Sequence, residues 1–101
     1  MSDKRNKPVE VADPFARQLV ARYIGRREND LALLDQALAN SDFDAIRRTG
    51  HNLSGSGAAY GLHEVSRLGR CIEDAAASAD AELMRRLLDE LAIFVRTVKI
   101  P

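Results

Sequence analysis

Apolar residues recur at helical spacing in four segments of this chain, and no segment alternates with the two-residue period of a β-strand. The links between these segments are short, which favours antiparallel packing of neighbouring helices. The pattern therefore predicts an all-α fold, an antiparallel up-down four-helix bundle over residues 13–101, preceded by a flexible tail at residues 1–12. The predicted helices span about residues 14–39, 42–60, 62–77 and 80–98.

The first segment is predicted to be one long helix. Gly25 and the polar run 26–30 would allow a break, but the apolar phase continues across them. Asp13 followed by Pro14 predicts the start, because aspartate caps free N–H groups and proline fits the first helical turn. The residues expected to face the core are Phe15, Leu19, Tyr23, Leu31, Leu34 and Leu38.

The boundaries of the other helices follow from capping residues. Ser41 and Asp44 have the spacing of a capping box and are predicted to open the second helix. Gly61 is placed to end that helix in a left-handed conformation, and residues 78–80 are predicted to cap the fourth. The expected core positions of the third and fourth helices are Leu62, Val65, Leu68, Ile72 and Ala76, and then Met84, Leu87, Leu91, Phe94 and Val98.

The second helix contains the most unusual stretch of the chain, residues 46–61, with four glycines and one histidine. On a helix of about 100° per residue, its apolar residues share one stripe with Gly50 and Gly57. His51 lies roughly 140° from the centre of that stripe, so we expect it on the outer face. The members of the stripe are Phe43, Ile46, Gly50, Leu53, Gly57 and Tyr60.

Small residues are predicted to surround His51. Ser54 and Gly55 lie one turn ahead of it and Ala58 two turns ahead, while Arg47 and Arg48 lie one turn behind. A glycine inside a helix costs about 1 kcal/mol relative to alanine, so several of them need a reason. Close approach of another body to the backbone is such a reason.

The run His51-Asn52-Leu53-Ser54-Gly55-Ser56-Gly57, followed by Gly61, resembles the signature of histidine phosphotransfer (HPt) domains. The resemblance covers about residues 13–98. It implies that His51 carries a phosphoryl group and exchanges it with the aspartate of a response-regulator receiver domain or a hybrid histidine kinase. It further implies a phosphocarrier that is not itself an enzyme and has no cofactor, with Mg²⁺ supplied by the receiver domain.

The resemblance also suggests supporting residues for His51. Glu73, on the third helix, is our candidate to accept a hydrogen bond from Nδ1 of the imidazole, which would leave Nε2 to attack. Ser54 stands where the family usually has lysine, so it offers a hydrogen bond but no charge. Arg47 or Arg48 could supply that charge instead, and Gly55 with Ala58 would leave room for the partner to dock.

Two arginines of the third helix are further candidates for the docking surface. Arg67 and Arg70 could border the same docking surface. Both arginines could equally be ordinary solvated charges.

Composition narrows the remaining possibilities. Lys plus Arg equals Asp plus Glu, at 15 each, which argues against non-specific binding to nucleic acid or membranes. One cysteine, Cys71, cannot form an internal disulfide, and His51 and His63 lack neighbours at the spacing of metal ligands. Without a signal peptide or an apolar span, we expect a cytoplasmic protein. The short ends favour a stand-alone chain, and the absence of a second apolar stripe favours a monomer.

A second function stays open at this stage. The loss of the family lysine at Ser54 is also compatible with a phosphorylation-independent module that binds a receiver or kinase as an inhibitor or scaffold. A plain structural bundle is a third possibility, but it leaves the small residues around His51 without a role.

Overall fold

The computed structural model describes residues 13–98, which form a four-helix bundle as predicted. The predicted tail at residues 1–12 lies outside the described residues. Helix α1 spans Pro14–Ala39, α2 spans Phe43–Ser56, α3 spans His63–Ala77 and α4 spans Ala81–Thr97. A 3-10 turn at Ala58–Tyr60 separates α2 from α3. No helix within the described residues is both long and apolar enough to cross a membrane.

Helix α1 is continuous through Gly25, as the apolar phase predicted. Asp13 caps it by accepting a hydrogen bond from the N–H of Phe15 at 2.9 Å, and Pro14 occupies the first turn. Two of its predicted core residues are wrong, because Phe15 is 66% exposed and Leu19 40% exposed. Val20 takes the buried position instead.

The exposure of Phe15 and Leu19 follows from helix length. With 26 residues, α1 is about 39 Å long, whereas the 14 residues of α2 reach only about 21 Å. The antiparallel α2 ends level with Tyr23, whose hydroxyl shares a hydrogen bond with Ser56. The first turns of α1 therefore extend beyond the end of α2.

The predicted capping box at Ser41 and Asp44 is wrong, as the link from α1 to α2 shows. Ser41 has φ +54°, a left-handed conformation in which the chain turns back, and the N–H of Asp42 reaches the carbonyl of Ala37. The cap of α2 is consequently Asp42, whose carboxylate accepts from the N–H of Ala45 at 3.2 Å. The aspartate one residue further along the chain thus has the role predicted for Ser41.

The link from α3 to α4 repeats this geometry. Ala79 has φ +53°, and the N–H of Asp80 reaches the carbonyl of Ala75. Asp80 then caps α4 by accepting from the N–H of Leu83 at 3.0 Å, in agreement with the predicted cap at residues 78–80.

The predicted second helix is also too long at its far end. The α-helix ends at Ser56, and the chain continues through the 3-10 turn to Gly61, which has φ +75°. The left-handed glycine predicted at this corner is confirmed, but it closes the 3-10 turn rather than α2. A Cβ on Gly57 would lie 2.8 Å from the carbonyl oxygen of Leu62 and 2.7 Å from the backbone nitrogen of Ser66, so the turn packs directly on the start of α3.

The core lies between all four helices. Ion pairs on the surface show that α1 and α4 run antiparallel, with Arg85 2.7 Å from Asp35 and Arg96 3.5 Å from Glu28. The hydrogen bond to Asp35 raises the pKa of Arg85 above its ordinary value. The largest buried side chains are Tyr23, Leu34, Ile46, Leu53, Leu62, Leu68, Ile72, Met84, Leu88 and Leu91.

Candidate functional site

His51 stands on the outer face of α2, where the helical stripe predicted it. Ile46, Gly50 and Leu53 are buried against the bundle, and this fixes the rotation of the helix. The side chain of His51 is 73% exposed as a result. One of its ring nitrogens nevertheless has a protein partner.

That partner is Glu73 of α3, the residue expected from the sequence. Nδ1 of His51 lies 3.1 Å from a carboxylate oxygen of Glu73, whose side chain is 28% exposed. A carboxylate can only accept, so the hydrogen bond requires the proton on Nδ1. In the neutral imidazole, the lone pair is then on Nε2, which is the nitrogen available to a reaction partner.

Two glycines bring α2 and α3 close enough for this contact. A Cβ on Gly50 would lie 2.8 Å from the backbone nitrogen of Glu73 and 2.8 Å from the carbonyl oxygen of Gly69. A Cβ on Gly69 would lie 2.5 Å from the backbone nitrogen of Ser54. The helices therefore touch backbone to backbone at this crossing, and no side chain of ordinary size separates them.

The role of Gly69 was missed by the sequence analysis. A signal for it exists, because Gly69 falls on the apolar face of α3 between Val65 and Ile72. A glycine on a buried helical face indicates close approach of a neighbour. Gly50 of α2 has the same property, and the two together could have indicated the pair of helices that cross there.

The small residues that follow His51 are placed on α2 and in the turn after it. Gly55 is exposed, and a Cβ placed on it would meet nothing within 4 Å, so packing within this chain does not require glycine there. Ala58 is exposed in the 3-10 turn, where its N–H donates to the hydroxyl of Ser66 at 2.8 Å. Ser54 is half-buried one turn from His51. The positions one and two turns ahead of His51 therefore carry no long side chain.

The predicted arginines are placed differently from one another. Arg47 lies 3.7 Å from Asp44, so its charge is partly balanced, whereas Arg48 is exposed. Arg67 pairs with Glu64 and with Glu90 of α4, which places it on the far side of α3 from His51. The hydrogen bond to Glu64 raises the pKa of Arg67 above its ordinary value. Arg67 therefore does not border the surface around His51, contrary to the hypothesis.

The opposite flank of α2 holds a half-open cavity of about 340 Å³ between α1 and α2. The rings of Tyr23 and Tyr60 are stacked, with their centroids 4.3 Å apart. The guanidinium carbon of Arg27 lies 4.0 Å from the centroid of the Tyr23 ring. This cavity and a second one further along the same groove are lined by residues other than His51. His51 lies outside both cavities on the exposed face of α2, so neither cavity would place a bound small molecule against its imidazole. Within residues 13–98, no group of three or more His, Cys, Asp or Glu side chains is placed to hold a metal ion.

Comparison with known protein families gives one relevant match. The family model described as Hpt domain matches residues 18–97, which include the whole of α2, α3 and α4 and all but the first four residues of α1. Neither the curated proteins nor the solved structures gave a match to this chain.

Proposed function

The chain belongs to the Hpt domain family, whose members are phosphotransfer modules of two-component systems, and we propose that His51 is the residue that carries the phosphoryl group. The observation that supports this most is the contact of Nδ1 with Glu73 at 3.1 Å, on an imidazole that is otherwise exposed. It holds the ring so that Nε2, the nucleophile of the neutral tautomer, faces solvent.

The transfer step is a single exchange of bonds at phosphorus. The lone pair of Nε2 attacks the phosphoryl group of a receiver aspartyl phosphate in line with the bond to the carboxylate oxygen. The N–P bond forms, the P–O bond breaks and the carboxylate leaves with the electron pair. Since Nδ1 keeps its proton, the ring becomes cationic as the bond forms. The carboxylate of Glu73 stabilises that developing charge.

The partner supplies the remaining chemistry in this proposal. Mg²⁺ and the acceptor aspartate belong to the receiver domain, which docks on the low surface formed by Ser54, Gly55 and Ala58, with Arg47 and Arg48 at its edge. The bundle itself acts as a carrier, without a nucleotide site of its own and as a monomer. A hybrid histidine kinase that contains a receiver domain would dock in the same way.

The test is phosphoryl transfer from a receiver domain labelled on its aspartate, with Mg²⁺ present. We expect label on this protein that survives alkali and is lost in acid, as the N–P bond requires. Label that is stable in acid would indicate a hydroxyl ester and contradict the proposal. Absence of label under conditions where a known Hpt protein is labelled would contradict it as well.

The alternative is a module that binds a receiver or a kinase without phosphorylation, as inhibitor or scaffold. One observation favours it, namely that Ser54 provides no charge where the family usually has lysine. Titration of the receiver with wild type and with His51→Ala separates the two functions. Equal affinity for both proteins, combined with no labelling of the wild type, would support the alternative.

Replacing Glu73 by alanine should slow phosphoryl transfer by about three- to tenfold. One charge-assisted hydrogen bond is lost, and its effect is reduced because the pair is partly exposed. Single-turnover kinetics with labelled receiver measure the rate, and circular dichroism checks the helical fold, which we expect to be unchanged. Asp74→Ala is the matched control, since Asp74 is the exposed neighbouring carboxylate. Equal rates for wild type and Glu73→Ala would remove Glu73 from the mechanism.

A further inference from the structure

A phosphoryl group on His51 would have no cation at the position one turn ahead on α2. Such a group carries about two negative charges near neutral pH. Ser54, one turn ahead of His51, is short and half-buried. Arg47, one turn behind, has Asp44 beside it at 3.7 Å. Arg48, three residues before His51, is exposed on the flank of the imidazole opposite to Ser54, since positions i−3 and i+3 lie about 60° to either side of it. On the flank that carries Ser54, the charge is therefore left to a residue on another element or to the partner.

The crossing of α2 and α3 fixes which residue of α3 lies level with Ser54. A Cβ on Gly69 would lie 2.5 Å from the backbone nitrogen of Ser54 and 2.8 Å from the Cβ of Leu53. One turn further along α3, Glu73 contacts His51. The two helices run antiparallel. Moving forward along α2 from His51 to Ser54 therefore corresponds to moving back along α3 from Glu73 to Gly69 and Arg70.

Arg70 is the exposed residue of α3 that lies level with Ser54 of α2. It precedes Glu73 by three residues, so the two are neighbours on the helix surface, about 60° apart around its axis. Gly69 is buried against α2, whereas Arg70 is exposed. Arg70 therefore leaves α3 on the solvent side of the seam, beside the turn of α2 that carries Ser54.

The charge of Arg70 is also available. Within residues 13–98, the ion pairs of α3 engage Glu64, Arg67 and Glu73, and none of them involves Arg70. An arginine presents a planar fork of donors that suits the oxygens of a phosphoryl group. The geometry points to Arg70 as the residue that binds the phosphoryl oxygens on Nε2 of His51, supplying from α3 the cation that α2 lacks at Ser54. This inference rests on the proposed phosphorylation of His51.

The test compares Arg70→Gln with wild type, using phosphoramidate as donor. This small donor transfers its phosphoryl group to the imidazole and releases ammonia, so no receiver has to dock. We expect Arg70→Gln to lower the rate of phosphorylation about tenfold, the effect of losing one charge-assisted hydrogen bond. Arg70→Lys should keep most of the rate. Arg86→Gln, which removes an exposed arginine of α4, should leave the rate unchanged.

A rescue experiment distinguishes a phosphoryl contact from a structural effect. Adding Ser54→Lys to Arg70→Gln places a cation one turn from His51 on α2 itself and should restore the rate to within about threefold of wild type. An unchanged rate in Arg70→Gln, or a loss that Ser54→Lys does not repair, would overturn the role of Arg70. A fall in Arg48→Gln but not in Arg70→Gln would assign the charge to Arg48. If wild type accepts no phosphoryl group from phosphoramidate or from a labelled receiver, the proposed function fails, and the role of Arg70 fails with it.

Discussion

Replacing His51 by glutamine is expected to abolish labelling by a phosphorylated receiver domain. Glutamine is similar in length and can still donate to Glu73, but its amide has no nucleophilic nitrogen with a free lone pair. The side chain at this position is 73% exposed and is not part of the core, so the free energy of unfolding should change by less than about 0.5 kcal/mol. The loss of transfer would then report chemistry and not unfolding. Incubation with labelled receiver and Mg²⁺, followed by gel electrophoresis, measures it.

His63→Gln is the matched control for this experiment. His63 is the other histidine of the chain and is exposed at the start of α3. We expect it to be labelled like wild type. Label that persists in His51→Gln would place the phosphoryl group on another residue and contradict the proposed site. Loss of label in both variants would point to a general effect on docking.

Much of this site could be predicted from local sequence. The helical stripe that buries Ile46 and Leu53 requires His51 to face outward, because the rotation of a helix is set by its apolar face. The contact of Glu73 with His51 was suggested by the resemblance to HPt domains, together with the place of Glu73 beside Ile72 on the next helix. That prediction also depends on antiparallel neighbours joined by a short link, which keeps the possible registers few.

The features of the fold and site that the sequence did not predict depend on tertiary packing. The exposure of Phe15 and Leu19 follows from the unequal lengths of α1 and α2, and the apolar phase of one helix contains no information on where its neighbour ends. The cap at Asp42 in place of Ser41 follows from the left-handed turn that closes α1, which propensity at a single position does not reveal. The side of α3 on which Arg67 lies became clear only from its contact with Glu90.

The different roles of Gly50 and Gly55 could be distinguished only in the structure. The sequence suggests one reason for both, the approach of another body. In the structure the body that approaches Gly50 is α3 of the same chain, whereas the space next to Gly55 is open. One glycine is required for packing, and the other is free to serve a partner. Spacing alone does not separate these two uses.

The helix crossing at Gly69 gives the second large effect, because Gly69→Ala should destabilise the bundle by about 2 kcal/mol. The added methyl group would lie 2.5 Å from the backbone nitrogen of Ser54 and 2.8 Å from the carbonyl oxygen of Gly50, and backbone atoms cannot rotate away. The helices must separate, and this costs more than the roughly 1 kcal/mol that alanine gains over glycine in a helix. Urea unfolding followed by circular dichroism measures the change.

Gly25→Ala is the control that isolates the crossing. Gly25 also lies within a helix, but a Cβ there would meet nothing within 4 Å, so we expect the bundle to gain about 0.5–1 kcal/mol. Separation of α2 from α3 in Gly69→Ala should also lengthen the bond from Nδ1 of His51 to Glu73 and lower the population of the Nδ1–H tautomer, which ¹⁵N NMR detects. If Gly69→Ala is as stable as Gly25→Ala and keeps the tautomer of the wild type, then the close crossing does not hold Glu73 against His51. A loss of stability with an unchanged tautomer would mean that the crossing supports the fold alone.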